Sequence, residues 1–203
     1  MRRVLTLLVL AAAFQPAFAQ SQFFDVPKAA VQFDGVAKSG SYNWSGTNLV
    51  VTTNSHYAFT TDDHVYVSFT NSALNGYYAI KSVSGNSLTL DNTRSGSGSG
   101  TANVRAWVKA ALNIASVVPQ RFSSAYGGDW IGGYYRINFD TRFVDDRYIA
   151  VGGLQYWRTT FGAAFNNPPT ASYFEVHFFD TDGSRDSPTY ASFAFFGTLV
   201  GEP

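Results

Sequence analysis

Residues 62–70 read DDHVYVSFT, and this stretch decides the fold class of the chain. Apolar and polar side chains alternate along it, so an extended strand points Val65, Val67 and Phe69 to one side. Tyr66 and Ser68 then point to the other side. A period of two residues, with β-branched and aromatic side chains, is typical of a half-buried strand. The stretch therefore predicts a β-sheet with one face against a core.

Similar patterns recur along the rest of the chain, separated by turn residues. The first half has turn dipeptides at Asn75-Gly76 and Gly85-Asn86, and residues 95–100, SGSGSG, are flexible by composition and predict an exposed hairpin loop. Loops are also predicted at residues 118–132 and 158–170. The predicted strands are residues 49–53, 65–70, 77–83, 87–90 and 102–108 in the first half, and 112–118, 133–140, 148–157, 173–180 and 189–197 in the second.

The composition supports an all-β fold. The 203 residues include 18 Phe and 12 Tyr, only 14% are charged, and none is cysteine. Disulfides and thiolate metal sites are therefore excluded, and stability must come from burial and hydrogen bonding. We expect two small antiparallel modules in tandem, each a β-sandwich or barrel-like, at residues 48–108 and 109–203. A polar lead-in, residues 20–47, with weak strand signals near residues 30–33, precedes them.

The N-terminus has the pattern of an export signal. Arg2 and Arg3 precede an apolar run at residues 4–14 and the small-residue site Ala17-Phe18-Ala19, so residues 1–19 predict a signal-like helix cleaved before Gln20. The apolar run is shorter than the roughly 20 residues of a bilayer span, and no membrane span is expected in the mature chain. Removing Arg2 and Arg3 takes the formal net charge from 0 to about −2, so no attraction to nucleic acid or to an anionic membrane surface is expected.

The first module has His56-Tyr57-Ala58, then residues 62–70, then Asn75-Gly76-Tyr77-Tyr78. These segments resemble a small β-module that recurs in phage structural proteins. The usual sequence of that module has a His-Gly-Leu-type turn, a Gly-Asp-x-Val strand and an Asn-Gly-x-Tyr hairpin. Tyr57, Ala58 and Asp62 depart from this pattern.

The second module contains AWV at 106–108, NIASV at 113–117, YRINFDT at 135–141 and DDRYIAVG at 145–152. In order and spacing these segments resemble the C-terminal domains of bacteriophage tail fibres. Those domains have a tryptophan strand, an Asn-x-x-Ser-Val strand, a Tyr-x-Val-x-Phe-Thr strand and an Asp-x-x-Tyr-x-Val-x-Gly strand. A closing aromatic strand, SFAFFG at 192–197, fits as well. The short Gly turn usual before the Tyr strand is expanded here into residues 119–132.

The resemblance implies a virion structural protein at a tail-fibre tip. Such a protein is expected to form a homotrimer, to contact other virion subunits, and to attach to a host-surface glycan or protein. The alternative, favoured by the export signal, is a secreted, periplasmic or cell-surface bacterial protein that uses the same β-modules for adhesion or carbohydrate binding.

Catalytic and metal-binding motifs are sparse in the sequence. No Gly-x-Ser-x-Gly elbow accompanies the three histidines, so no catalytic residue and no enzyme activity are predicted. His56 and His64 are expected to flank a turn, and His177 to lie on a sheet face. The oxygen-bearing series Asp180, Asp182, Ser184 and Asp186 has calcium-like spacing, but it lacks a distal bidentate carboxylate and a hairpin turn is the favoured interpretation, so we predict no metal or cofactor.

Aromatic residues near Gly-rich bends provide a candidate binding surface. Flat aromatic rings beside polar side chains suit sugar rings or protein epitopes, and hydrogen-bonding residues nearby can orient the ligand. The competing interpretation is core packing, which we expect for Trp107 and Phe139 in alternating strands. The predicted ligand-binding residues are Tyr126, Trp130, Tyr134, Tyr156, Trp157, Arg158 and Asn166.

Overall fold

The computed structural model describes residues 26–123, 129–154, 159–163, 170–180, 187–188 and 190–202. This part of the chain has thirteen β-strands, a 3₁₀ turn at Ser72–Leu74 and no α-helix, which confirms the predicted all-β fold class. The predicted signal segment, residues 1–19, lies outside the described residues. Among the described residues, no helix has the length and apolar character needed to cross a bilayer.

Every pairing between the described strands is antiparallel. Their bounds are β1 Ala29–Asp34, β2 Lys38–Gly46, β3 Asn48–Thr53, β4 His64–Phe69, β5 Gly76–Ser84, β6 Ser87–Leu90, β7 Gly96–Leu112, β8 Ile114–Ser123, β9 Asp129–Phe139, β10 Ile149–Leu154, β11 Thr159–Ala163, β12 Tyr173–Asp180 and β13 Ala191–Phe196.

Six strands close into a barrel in the first half of the chain. The order is β7-β2-β3-β6-β5-β4, and β4 pairs back onto β7, which removes the sheet edges. The predicted alternation is confirmed, because Val65, Val67 and Phe69 are buried in the barrel core. The predicted turn at Gly85-Asn86 is confirmed too: it joins β5 to β6, and Gly85 takes a positive φ of 57°.

Strands from the second half of the chain form a β-sandwich together with β1 and the C-terminal part of β7. Strands β10-β13-β1-β7 make one layer and β11-β12-β9-β8 the other. Their shared core is mainly aromatic: the ring centroid of Phe139 lies 4.9 Å from that of Phe143 and 5.0 Å from that of Phe195. Edge-to-face contacts of this kind contribute beyond burial alone. The predicted burial of Trp107 and Phe139 is confirmed.

Strand β7 belongs to both the barrel and the sandwich, and a β-bulge in it changes which residues face each core. Opposite β4, Val67 pairs with Val104 and Tyr66 with Ala106, so Arg105 is the extra residue. A bulge shifts the alternation of the residues that follow it. Val104 therefore packs in the barrel core, whereas Ala106 packs in the sandwich core.

The lead-in and the Gly-Ser run differ from what the sequence predicted. Residues 20–47 include β1 and β2, which belong to the sandwich and the barrel respectively. Residues 96–100 are not a hairpin loop but the start of β7, paired with β2. A Cβ on Gly96 would lie 2.2 Å from Cη2 of Trp44, and one on Gly100 would lie 2.3 Å from Oγ1 of Thr70 and 3.0 Å from Cε1 of Tyr42. The glycines therefore leave room for two rings of β2 that cover this strand.

The two predicted long loops are also shorter than expected. β8 runs to Ser123 and β9 begins at Asp129, so only residues 124–128 separate these strands. β11, which the sequence did not predict, lies within residues 158–170. β7 and β8 meet at Asn113, whose φ of 53° turns the chain between them. The Asn113 side chain accepts from the Thr141 backbone N–H at 2.6 Å and donates to the Thr141 carbonyl at 3.0 Å.

Candidate functional site

The outer face of the four-stranded layer has a cluster of polar and aromatic side chains. β9 and β12 are paired there, with Arg136 opposite Glu175 and Tyr134 opposite His177. Alternation places the intervening residues, such as Ile137 and Val176, in the sandwich core. The outer-face cluster is therefore the direct product of the two-residue period, and it consists of Tyr134, Arg136, Tyr173, Glu175, His177 and Phe179.

Glu175 is the centre of this outer-face cluster. Its side chain is almost fully buried, and it accepts hydrogen bonds from two neighbours. Tyr134 Oη donates to Oε2 at 2.5 Å, and Arg136 Nε donates to Oε1 at 2.7 Å. Arg136 Nη2 lies 2.6 Å from the same Oε1, so the guanidinium holds the carboxylate with two nitrogens. Charge-assisted hydrogen bonds of this type are short and directional, and they fix the orientation of both partners.

Aromatic rings extend the outer-face cluster on both sides of Glu175. The Arg136 guanidinium lies 4.2 Å from the centroid of the Tyr173 ring, within cation–π range. On the other side, the Tyr134 and His177 ring centroids are 4.2 Å apart, and those of His177 and Phe179 are 5.9 Å apart. A half-buried row of rings and a guanidinium thus follows the surface of the sheet.

The chemistry of the outer-face cluster is that of recognition. Both Glu175 oxygens are engaged by protein donors, so this carboxylate orients Tyr134 and Arg136. Tyr134 is only 7% exposed, so it packs against its neighbours in the cluster and offers little surface of its own. Arg136, Tyr173 and Phe179 are half-buried, and each leaves part of its side chain on the surface. Arginine and flat aromatic rings are the residue types that dominate contact surfaces.

Only one of the seven residues predicted to bind ligand has a described side chain. Tyr134 lies in the outer-face cluster. Trp130 was predicted to lie in a loop, but its backbone is part of β9, opposite Phe122 of β8. The prediction of a loop at Trp130 was wrong because the pairing of β8 with β9 extends through this residue. The predicted ligand-binding residues that lie outside the described residues are Tyr126, Tyr156, Trp157, Arg158 and Asn166.

The sequence analysis did not predict Arg136, Tyr173 or Glu175 as site residues. One signal was available, since the alternation in residues 173–180 places Glu175 on the same face as His177. A carboxylate on a face that also has aromatic residues is a candidate for a hydrogen-bonded cluster. Its partner Arg136 is 39 positions away in the sequence, and only the pairing of β9 with β12 brings the two together.

The other sequence candidates have less distinctive surroundings. His177 lies on a sheet face, as predicted, and the His64 ring stacks on Tyr77 at 5.5 Å. Of the calcium-like series, Asp180 ends β12, while Asp182, Ser184 and Asp186 lie outside the described residues. Among the residues that the structure describes, no three His, Asp or Glu side chains are grouped as metal ligands would be.

Comparison of the chain with protein-family models, with curated proteins and with solved structures found no match.

Proposed function

We propose that the protein is a receptor-binding structural protein similar to a phage tail-fibre tip, and that it attaches to a glycan or protein on a host surface through the outer-face cluster. The observation that supports this is the hydrogen bonding of Glu175 to Tyr134 and Arg136, which fixes a guanidinium and several rings on a sheet surface. A charged side chain is buried at a cost, and these hydrogen bonds offset that cost.

The side chains of the outer-face cluster are held in place before any ligand binds, and this makes the cluster suitable for binding. Immobilising a long side chain on association costs about 0.5–1.5 kcal/mol. Arg136 is already held by Glu175 and stacked on Tyr173, so a ligand would meet a guanidinium whose freedom is already restricted. Sugar hydroxyls and carboxylates accept hydrogen bonds from a guanidinium, and the rings offer flat apolar surface to sugar C–H groups or to protein side chains.

A cell-binding assay tests this proposal. Labelled protein should bind the surface of its host bacterium, and Arg136→Ala or Tyr173→Ala should weaken binding at least about tenfold, the effect of losing one charge-assisted contact. Lys81→Ala, an exposed change on barrel strand β5, is the matched control and should bind normally. Loss of binding after periodate oxidation of the cells would identify a glycan, and loss after protease treatment a protein. Unchanged binding by both site variants would refute the proposal.

We also propose that copies of the chain assemble through the outer face of the other sandwich layer, as expected for a fibre homotrimer. Val151, Ala194, Ala30 and Leu112 are in register across β10, β13, β1 and β7 and form an uncharged apolar row. Val151 is 56% exposed and Leu112 is 51% exposed. A second copy presents the same uncharged row, and β10 is at the edge of this sheet, where no other described strand pairs with its outer side.

Light scattering tests the proposed assembly. The parent protein should be a trimer, and the double variant Val151→Lys/Leu112→Lys should be a monomer, because burying two ammonium groups opposes association. Val36→Lys, in the turn between β1 and β2, is the control and should remain trimeric. A monomeric parent would contradict this part of the proposal.

The export-like N-terminus supports a second candidate, a secreted or cell-surface bacterial protein that binds carbohydrate. Arg2, Arg3 and the apolar run before Ala19 are the observation that favours it. Intact mass spectrometry of the protein from its native source distinguishes the two candidates. A chain that begins at Gln20 supports the secreted protein, and a chain that retains Met1 supports the virion protein.

A further inference from the structure

A polar groove lies where the barrel meets the sandwich. Its walls come from β4 and β7 of the barrel and from Pro119 of β8, and its volume is about 390 Å³. This is within the range of roughly 300–1,000 Å³ that is common for small-ligand sites, which often lie between two structural units. We call it the junction groove. It shares no residue with the outer-face cluster.

The bulge in β7 shapes the junction groove. Arg105 is the extra residue of the bulge, and it lies in the groove wall beside Asn103. On β4, Ser68 pairs directly with Asn103, and Tyr66 lies next along the same face. Bulges are common beside functional sites because they redirect side chains. The result is a row of hydroxyl, amide and guanidinium groups along one wall.

Two amides in the groove are held in a fixed orientation. Asn75 Oδ1 accepts from the backbone N–H of Phe69 at 2.7 Å, and Asn103 Oδ1 accepts from Ser39 Oγ at 2.7 Å. Because each oxygen is occupied by a donor of the protein, each Nδ2 is left to face other partners. The structure gives neither Nδ2 a hydrogen bond to any residue that it describes. Two oriented donors therefore lie in one groove, beside the Ser68 hydroxyl.

The residues that line the junction groove suit some classes of ligand better than others. Among the described lining residues there is no carboxylate, and Arg105 is the one charged side chain, which is too little positive charge for a nucleic-acid backbone. Strand addition by a peptide needs a free strand edge, but β4 pairs with both β5 and β7. Hydroxyl and amide groups match the alternating donors and acceptors of sugar hydroxyls. We therefore infer that the junction groove binds an uncharged sugar residue of a glycan, separately from the ligand of the outer-face cluster.

Nuclear magnetic resonance titration of the full chain tests this inference. The probes are neutral oligosaccharides, namely maltotetraose, cellotetraose, a mannotetraose and tri-N-acetylchitotriose. At least one should shift the side-chain NH₂ resonances of Asn75 and Asn103. Asn103→Leu and Asn75→Asp each remove one donor, and Asp keeps the acceptor for the Phe69 N–H, so each variant should bind the same probe about tenfold more weakly.

Controls separate this site from the proposed receptor site. Arg136→Ala alters the outer-face cluster and should leave the groove shifts unchanged, whereas the groove variants should leave cell binding through that cluster measurable. The inference is overturned if none of the four probes shifts the Asn75 and Asn103 resonances, or if Asn103→Leu and Asn75→Asp bind as the parent does. It is also overturned if a trigalacturonate or an unstructured peptide shifts these resonances and the neutral sugars do not.

Discussion

Two ion pairs of equal length allow the effect of burial on stability to be measured within one chain. Lys38 Nζ lies 2.7 Å from Asp34 Oδ2, and Lys28 Nζ lies 2.7 Å from Glu202 Oε1. The side chains of the first pair are 3% and 8% exposed, and those of the second are 37% and 31% exposed. Removing one partner of a buried pair leaves an uncompensated charge and costs about 3–5 kcal/mol. An exposed pair contributes about 0–1 kcal/mol.

Lys38→Met is therefore expected to lower the free energy of unfolding by about 3–5 kcal/mol, because among the described residues Asp34 would keep only the Val36 N–H as a hydrogen-bond donor. Methionine retains the apolar stem of lysine, so the lost ammonium group dominates the change. Lys28→Met, the control, is expected to leave the free energy of unfolding nearly unchanged, because solvent screens this exposed pair. Urea titration followed by tryptophan fluorescence gives both values.

Two further results test this reasoning. The double variant Asp34→Asn/Lys38→Met should recover part of the loss, since no buried charge would remain. If Lys38→Met and Lys28→Met cost the same free energy, burial of the ion pair does not determine its effect and the argument is refuted.

The remaining predictions concern backbone conformation, packing and pH. Gly96→Ala should destabilise the chain by about 1–3 kcal/mol in urea titration, because its Cβ would overlap the Trp44 ring. The same Gly96→Ala change should cost less when it is made in the Trp44→Ala variant, which lacks that ring. Asn113→Ala should cost about 1–3 kcal/mol for its positive φ and lost hydrogen bonds, and Asn113→Gly should cost less; equal costs would contradict a backbone origin. Burial raises the pKa of the phenols of Tyr77 and Tyr148 above the ordinary 10.0, so their contribution to stability is complete below pH 10 and is lost as the pH rises toward the folded-state pKa values. Alkaline unfolding should therefore begin at higher pH in Tyr77→Phe, and an unshifted midpoint would argue against this contribution.

Local patterns predicted the strands well, and pairing between distant strands was harder to predict. The alternation around Val65 is a property of adjacent residues and therefore predicts β4 directly. Closure of the barrel depends on the pairing of β4 with β7, and on the bulge at Arg105, neither of which leaves a local pattern. The Gly-Ser run was misread for the same reason, because the Trp44 ring that covers Gly96 belongs to β2.

The candidate site was predicted only in part. Tyr134 was identified because aromatic residues near Gly-rich bends are common in binding surfaces. Glu175 and Arg136 were missed, since their significance comes from a hydrogen bond across two strands that lie far apart in the sequence. The resemblance to tail-fibre domains remains a prediction, and the proposed receptor binding rests on the outer-face cluster.

The 17 residues of β7 have a mechanical consequence. One continuous strand forms hydrogen bonds with β2 and β4 in the barrel and with β1 in the sandwich. A pull on the sandwich along the direction of β7 is transmitted to the barrel through the covalent backbone and loads these hydrogen bonds in shear, so that many must break together. A pull across the strand would open them one at a time, and the resistance of the chain to force should therefore depend on the direction of loading.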